Sequence, residues 1–160
     1  MQKVYNVGII GFGGMAGFHF WSLNTFRDKD NIRININFYP SLDSYSLYLD
    51  KYNAKDYIKL CGQQNLVEVY KNYEAYIAGS TSEGFGLTLM EAVGSGLPII
   101  GFDVRYGNQN FIDHEENGYK ISVHDRMTKA ERVEKLKEAI VRMFTEADLE
   151  QFHMNSYKKA

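Results

Sequence analysis

The sequence predicts an α/β fold in which helices cover a six-stranded parallel sheet in three αβα layers. Three observations lead to this prediction. Short apolar bursts rich in β-branched residues alternate with segments of helical periodicity along the 160 residues. The segments between bursts are long enough for right-handed crossovers. No Gly/Ser-rich linker, low-complexity tract or internal repeat interrupts the chain, so we expect a single domain over residues 1–160.

Each predicted strand is an apolar burst such as "VYNVGII" or "PIIGF", and helical segments separate the bursts. The predicted strands are 4–10, 32–38, 57–61, 73–79, 98–102 and 118–122. The predicted helices between them are 14–26, 41–52, 65–72 and 87–96, with a shorter turn near 108–115.

The last part of the chain is predicted to be helical. Thr128 and Glu131 form a T-x-x-E capping box, which marks a helix start. The segment "RVEKLKEAIVRMF" that follows places its apolar residues on one stripe, and a final helix is predicted over 146–158. The stripe consists of Val133, Leu136, Ile140 and Phe144.

Composition excludes several classes of function. The formal charge is −2 and the basic residues are spread thinly, so nucleic acid is not an expected partner. One cysteine, Cys61, cannot form an internal disulfide, and no His or Cys cluster has metal-ligand spacing. No apolar run approaches the roughly 20 residues of a membrane span. We therefore expect a cytoplasmic protein without a metal site.

The stretch "STSEGFGLTLMEAVGSGLPII" places Glu83 and Glu91 on either side of a glycine turn. Gly84 and Gly86 let a diphosphate approach the backbone at the positive end of a predicted helix. Eight helical residues rise about 12 Å, so the two carboxylates can contact opposite ends of an extended nucleotide-diphosphate sugar. The alternative is a pair of solvent-facing carboxylates near a helix start.

This stretch, together with "FIDHEENGYKI", resembles the C-terminal half of retaining glycosyltransferases of the GT-B fold, family 4. Within that family it is most similar to the bacterial accessory Sec N-acetylglucosaminyltransferases, and the resemblance covers residues 36–155. It implies a UDP-sugar donor such as UDP-GlcNAc and no additional cofactor. It also implies that Glu83, as the catalytic glutamate, lies by the donor sugar and that Glu91 binds the ribose. The backbone amides expected on the diphosphate are those of Phe85, Gly86 and Leu87.

The sequence departs from that family in two respects. The family has an arginine and a lysine after its first strand, whereas "GIIGFGGMAGFHF" has neither. Arg105 follows a predicted strand and can contact a phosphate, although a surface salt bridge is the alternative. The family also binds its acceptor on another domain. We therefore expect a donor-binding half with little or no turnover alone, and a partner chain or homo-oligomer remains open.

A second fingerprint, "GFGGMA", follows the first predicted strand. Residues 3–33 resemble the NAD(P)-binding start of glucose-fructose oxidoreductase-type dehydrogenases, which makes NAD(P) an alternative ligand. No acidic residue for the ribose follows at the expected distance, so close helix packing is the alternative explanation. The residues of this loop are Gly11, Gly13, Gly14 and Ala16.

Both families have Rossmann-like sheets of strand order 3-2-1-4-5-6, and we expect that order here. The two resemblances meet near residue 35. They suggest a recombined or engineered chimera, with residues 1–35 from one family and residues 36–160 from the other. A natural transferase domain with a divergent start and a scaffold without a ligand are the alternatives.

Overall fold

A computed structural model describes residues 3–9, 32–38, 46–51, 53, 55–56, 58–60 and 65–160. Six parallel strands form one sheet in the order β3-β2-β1-β4-β5-β6. The predicted α/β fold with a parallel sheet is confirmed, and each strand lies inside or within one residue of a predicted burst. The strands are β1 (Lys3–Ile9), β2 (Ile32–Phe38), β3 (Ile58–Leu60), β4 (Ala75–Ala78), β5 (Ile99–Phe102) and β6 (Gly118–Ile121).

Six helices are described, and all of them fall on predicted helical segments. The predicted helix over 14–26, the loop residues Gly11, Gly13, Gly14 and Ala16, and Cys61 lie outside the described residues. No helix in the described ranges is long and apolar enough to cross a membrane. The helices are α1 (Ser46–Lys51), α2 (Leu66–Tyr70), α3 (Leu87–Gly94), α4 (Gly107–Phe111), α5 (Lys129–Thr145) and α6 (Leu149–Lys159).

Strand β4 shows why helices must cover both faces of the sheet. All four of its residues are buried, which is typical of a central parallel strand. Ala75 and Ile77 pack in one apolar cluster with residues of α5 and α6. Tyr76 and Ala78 point to the opposite face and pack in a second cluster with residues of α2 and α3. The sheet is therefore the middle layer of this part of the chain.

The strand pairings explain where a ligand can bind. β1 pairs with β2 on one side and with β4 on the other, so the direction of winding reverses between β1 and β4. Open parallel sheets bind ligands at such a switch point, beyond the carboxyl ends of the strands. The loop from β4 to α3 and the loop from β5 to α4 both begin at this edge. The stretch predicted to hold a donor is therefore at the ligand-binding edge of the sheet.

The capping box at the start of α5 is confirmed. The Thr128 backbone N–H donates to Glu131 Oε2 at 2.7 Å, and the Glu131 N–H donates to Thr128 Oγ1 at 3.3 Å. The predicted apolar stripe is also confirmed, because Val133, Leu136, Ile140 and Phe144 are all buried.

Helix α6 crosses back to contact the end of α3. The buried Ser156 hydroxyl donates to the Leu97 carbonyl at 2.9 Å. His153 Nδ1 lies 2.6 Å from the Gly96 carbonyl, which requires a proton on Nδ1 because the carbonyl can only accept. The C-terminal helix thus holds the turn that ends α3. The sequence predicted both helices but did not predict this contact.

Candidate functional site

The site begins with a glycine loop, which we define as Glu83–Gly86, and with the helix that follows it. Gly86 is the N-cap of α3 and has a left-handed backbone with φ of +80°, a conformation that favours glycine. Among the described residues no side chain caps α3. By contrast, Thr128 caps α5. The first N–H groups of α3 are thus left for another acceptor, and the helix dipole favours a negatively charged one.

Gly84 lies where a ligand can approach the backbone. A Cβ atom built on Gly84 would meet no described atom within 4 Å, and the residue is exposed. The space beside Gly84 and the uncapped start of α3 are separated by only two residues. This arrangement suits a group with several negative oxygens, such as a diphosphate.

A second loop supports the glycine loop through backbone hydrogen bonds. The Glu83 N–H donates to the Arg105 carbonyl at 3.2 Å, and the Tyr106 N–H donates to the Glu83 carbonyl at 2.9 Å. The Gly107 N–H donates to the Gly84 carbonyl at 3.2 Å. These three bonds join the loops after β4 and β5 at the carboxyl edge of the sheet. The structure therefore brings Arg105 beside the glycine loop, which the sequence had suggested only from its position after a strand.

The side chain of Arg105 is exposed, and within residues 65–160 no acidic side chain forms an ion pair with it. The surface salt bridge considered as the alternative is therefore not formed with the described residues. A guanidinium group in this position can contact a phosphate by charge-assisted hydrogen bonds.

Two buried tyrosines support the first turn of α3 and the carboxylate of Glu91. Tyr70 donates from its hydroxyl to the Thr88 carbonyl at 3.2 Å and lies 3.4 Å from Glu91 Oε2. The hydroxyl of Tyr76 donates to Thr88 Oγ1 at 3.0 Å. The two rings meet edge to face with centroids 6.2 Å apart. The first turn of α3 and the carboxylate of Glu91 therefore share one hydrogen-bonded support.

The electrostatics of Tyr76 show that both glutamates are near it. Burial raises the pKa of Tyr76 to about 12, the hydrogen bond with Thr88 opposes this rise, and the carboxylates of Glu83 and Glu91 add to it. Burial also raises the pKa of Tyr70, with Tyr76 and Glu91 as smaller causes. Both hydroxyls consequently keep their protons at neutral pH and act as donors.

Two apolar side chains at the start of α3 are exposed. Phe85 is 62% exposed, and its ring meets that of Phe111 edge to face at a centroid distance of 5.8 Å. Leu87 is similarly exposed. Both side chains therefore project away from the buried core.

The sequence did not single out Tyr70, Tyr76 or Thr88. The signal that could have found the tyrosines is their position in buried elements, because a buried tyrosine hydroxyl needs a hydrogen-bond partner. Within the described ranges, no group of three or more His, Cys, Asp or Glu side chains could hold a metal ion.

Comparisons with known proteins identify the family of this chain. The model of the family "Glycosyl transferases group 1" matches residues 38–147. The UDP-N-acetylglucosamine--peptide N-acetylglucosaminyltransferase GtfA subunit of Limosilactobacillus reuteri subsp. suis is 57% identical over 112 residues, which are 70% of this chain and 22% of that protein. The matched residues thus span less than a quarter of the length of that relative.

Solved structures extend the similarity along the chain. The pneumococcal O-GlcNAc transferase GtfA, crystallised with UDP and GlcNAc, superposes with a TM-score of 0.84 at 33% identity. The match covers 97% of this chain and 32% of that one. A GtfA/B complex gives a TM-score of 0.87 at 32% identity over 99% of this chain and 34% of that one. The chain therefore belongs to the glycosyl transferases of group 1, which are family 4 glycosyltransferases of the GT-B fold.

Proposed function

We propose that this chain is the donor-binding part of a retaining glycosyltransferase and that it binds a UDP-GlcNAc-like nucleotide sugar beside the glycine loop. The observation that carries the proposal is the uncapped start of α3 directly after Gly84 and Gly86, with Glu83 before it and Glu91 beyond it. The relatives support the class of donor, because one is named for UDP-N-acetylglucosamine and another was crystallised with UDP and GlcNAc.

The diphosphate is the centre of the proposed complex. The backbone N–H groups of Phe85, Gly86 and Leu87 donate to it, and Arg105 supplies a positive charge from the neighbouring loop. When the bond between sugar and diphosphate breaks, negative charge develops on the leaving diphosphate. Fixed N–H dipoles aimed at that charge stabilise the transition state without reorganising.

The two carboxylates act at the ends of the donor. In the proposal Glu83 lies by the sugar at the reaction centre, and Glu91 accepts hydrogen bonds from the ribose hydroxyls. A carboxylate has only acceptor oxygens, so it selects hydroxyl groups over phosphate. Support for this pairing comes from Tyr76, because the carboxylates of Glu83 and Glu91 both add to the rise of its pKa.

We propose that these 160 residues alone transfer sugar weakly or not at all. An enzyme of the GT-B fold works in a cleft between two domains, and orienting the acceptor there supplies a large part of the rate. The sequence after the first strand has neither the arginine nor the lysine of the family, and we expect donor binding to be weaker for that reason. These residues lie outside the described ranges. A partner chain is a further proposal, supported by the GtfA/B complex among the structural neighbours.

Isothermal titration calorimetry with UDP and UDP-GlcNAc tests the proposal. Glu91→Ala should weaken UDP binding about tenfold, because a hydrogen bond to a charged group contributes roughly 1.5–3 kcal/mol. Glu138→Ala, an exposed glutamate on α5, is the matched control and should not change the affinity. A folded wild-type chain that binds neither ligand would refute the proposal.

Isothermal titration calorimetry with NAD tests the NAD(P) alternative. Its glycine loop lies outside the described residues, so it stays a prediction, as does the chimera hypothesis. NAD binding that is lost in Gly13→Val would favour the dinucleotide module. We expect a loop after β1 and the glycine loop after β4 to border the same switch-point crevice, so UDP and NAD should compete for binding.

A further inference from the structure

Tyr70 stands at the end of α2 and reaches across to α3. The residue is 1% exposed, and its hydroxyl lies 3.2 Å from the Thr88 carbonyl and 3.4 Å from Glu91 Oε2. The residues it joins are 18 and 21 positions away in the sequence. A buried hydroxyl that has lost its water must find such partners.

Glu91 differs from Tyr70 in being exposed. A free glutamate side chain occupies several rotamers, and holding it in one costs conformational entropy. Among the described residues, Tyr70 is the only one that hydrogen-bonds to the Glu91 carboxylate. That contact uses Oε2 and leaves Oε1 for a ligand.

The hydroxyl hydrogen of Tyr70 is shared between a carbonyl and a carboxylate. The carboxylate is the stronger acceptor because it is charged. A rigid, buried phenol whose hydroxyl lies within reach of Oε2 therefore favours the rotamers of Glu91 that keep this contact. A carboxylate held in that way loses less freedom when it binds a ligand hydroxyl.

We propose that Tyr70 is a positioning residue, whose hydroxyl holds Glu91 in the orientation that receives the ribose hydroxyls of the nucleotide sugar. This inference rests on the proposed function, because it assigns Glu91 to the ribose. It adds a residue from outside the glycine loop and α3 to the donor site. It also explains why a tyrosine hydroxyl is placed in an apolar cluster beside an exposed glutamate.

The test compares UDP with 2′,3′-dideoxyuridine diphosphate, which lacks the ribose hydroxyls. The dissociation constant for the dideoxy ligand divided by that for UDP measures what the ribose hydroxyls contribute to binding, and this quotient is the ratio used below. Tyr70→Phe should weaken UDP binding about fivefold, the equivalent of one ordinary hydrogen bond, and leave the dideoxy ligand unchanged. Tyr119→Phe removes a buried tyrosine hydroxyl on the other face of the sheet and should leave the ratio unchanged.

A double-mutant cycle separates positioning from a general loss of structure. In a Glu91→Gln background the ribose contribution is already reduced, so adding Tyr70→Phe should change the ratio by much less than fivefold. A structural defect would instead weaken both ligands equally in either background. Circular dichroism and urea unfolding confirm that the variants fold.

The outcomes distinguish the two proposals. If wild-type protein does not bind UDP, the proposed function and this inference both fail. If Glu91→Gln lowers the ratio and Tyr70→Phe does not, the inference alone is overturned. Should Tyr70→Phe not fold, NMR on wild-type protein decides: a nuclear Overhauser effect between the Tyr70 hydroxyl proton and the Glu91 side chain in the UDP complex supports the inference, and its absence refutes it.

Discussion

Gly86 and Gly107 approach each other so closely that a Cβ atom on either one would crowd the backbone of the other. A Cβ on Gly86 would lie 3.2 Å from the Gly107 Cα, and a Cβ on Gly107 would lie 2.9 Å from the Phe85 carbonyl oxygen. The two glycines start α3 and α4. Gly107, which follows β5, therefore restricts the backbone of the glycine loop, which follows β4.

Gly107→Ala tests this relationship. The added methyl group meets backbone atoms, which cannot rotate away, so we expect a loss of about 1–3 kcal/mol in the free energy of unfolding. Urea unfolding followed by circular dichroism measures it. UDP affinity should also fall, because the glycine loop must move.

Gly94→Ala is the matched control for that substitution. A Cβ at Gly94 would meet no described atom within 4 Å, and the residue ends α3. Alanine has a higher helix propensity than glycine, so this variant should be as stable as the wild type or more stable by up to about 1 kcal/mol. Equal destabilisation by the two substitutions would show that the Gly107 contact is unimportant.

The contact between Gly96 and Tyr157 predicts a coupled pair of substitutions. Gly96 has φ of +78°, and a Cβ there would overlap the Tyr157 ring. Gly96→Ala should therefore destabilise the protein by the left-handed penalty of about 1 kcal/mol plus a steric cost. In a Tyr157→Ala background only the backbone penalty should remain. Thermal unfolding of the four proteins measures the difference, and purely additive effects would contradict the contact.

The capping box of α5 predicts an acid-dependent loss of stability. Hydrogen bonds from the side chain and then the backbone of Thr128 lower the pKa of Glu131 below its usual 4.5. Because the folded pKa is the lower one, this stabilisation is complete above pH 4.5 and is lost as the pH falls through the folded value. Urea midpoints measured between neutral and acidic pH should show a shallower acid dependence in Glu131→Gln. Identical pH profiles would argue against this linkage.

Tyr76 predicts the opposite dependence at alkaline pH. Its pKa is raised by burial from 10.0 to about 12, so the unfolded chain ionises first. The stabilisation is present below pH 10 and is lost as the pH rises toward the folded value. Tyr76→Phe should therefore lose less stability between pH 9 and pH 11 than the wild type does. Ultraviolet titration of the phenolate gives an independent check, since the absorbance change that Tyr76→Phe removes should occur well above pH 10.

The local elements of the chain were predictable because their signals are local. Strand β2 occupies the residues of its predicted apolar burst, and the Thr128 capping box starts α5 as expected. The position of the candidate site was predictable for the same reason, because its residues are close together in the sequence. Glu83, Gly86 and Glu91 are near each other along the chain, and a strand, a glycine turn and a helix between them leave few possible arrangements.

What the sequence by itself determined is therefore the order of strands and helices, the glycine turn at the start of α3 and the family. Only the tertiary structure decided how that turn is supported. Tyr70 meets Glu91, Gly107 meets Gly86, and Ser156 holds Leu97, and the partners in these pairs are 21 to 59 positions apart in the sequence. Such contacts depend on which elements the sheet places side by side, and no periodicity or local motif in the sequence encodes that placement.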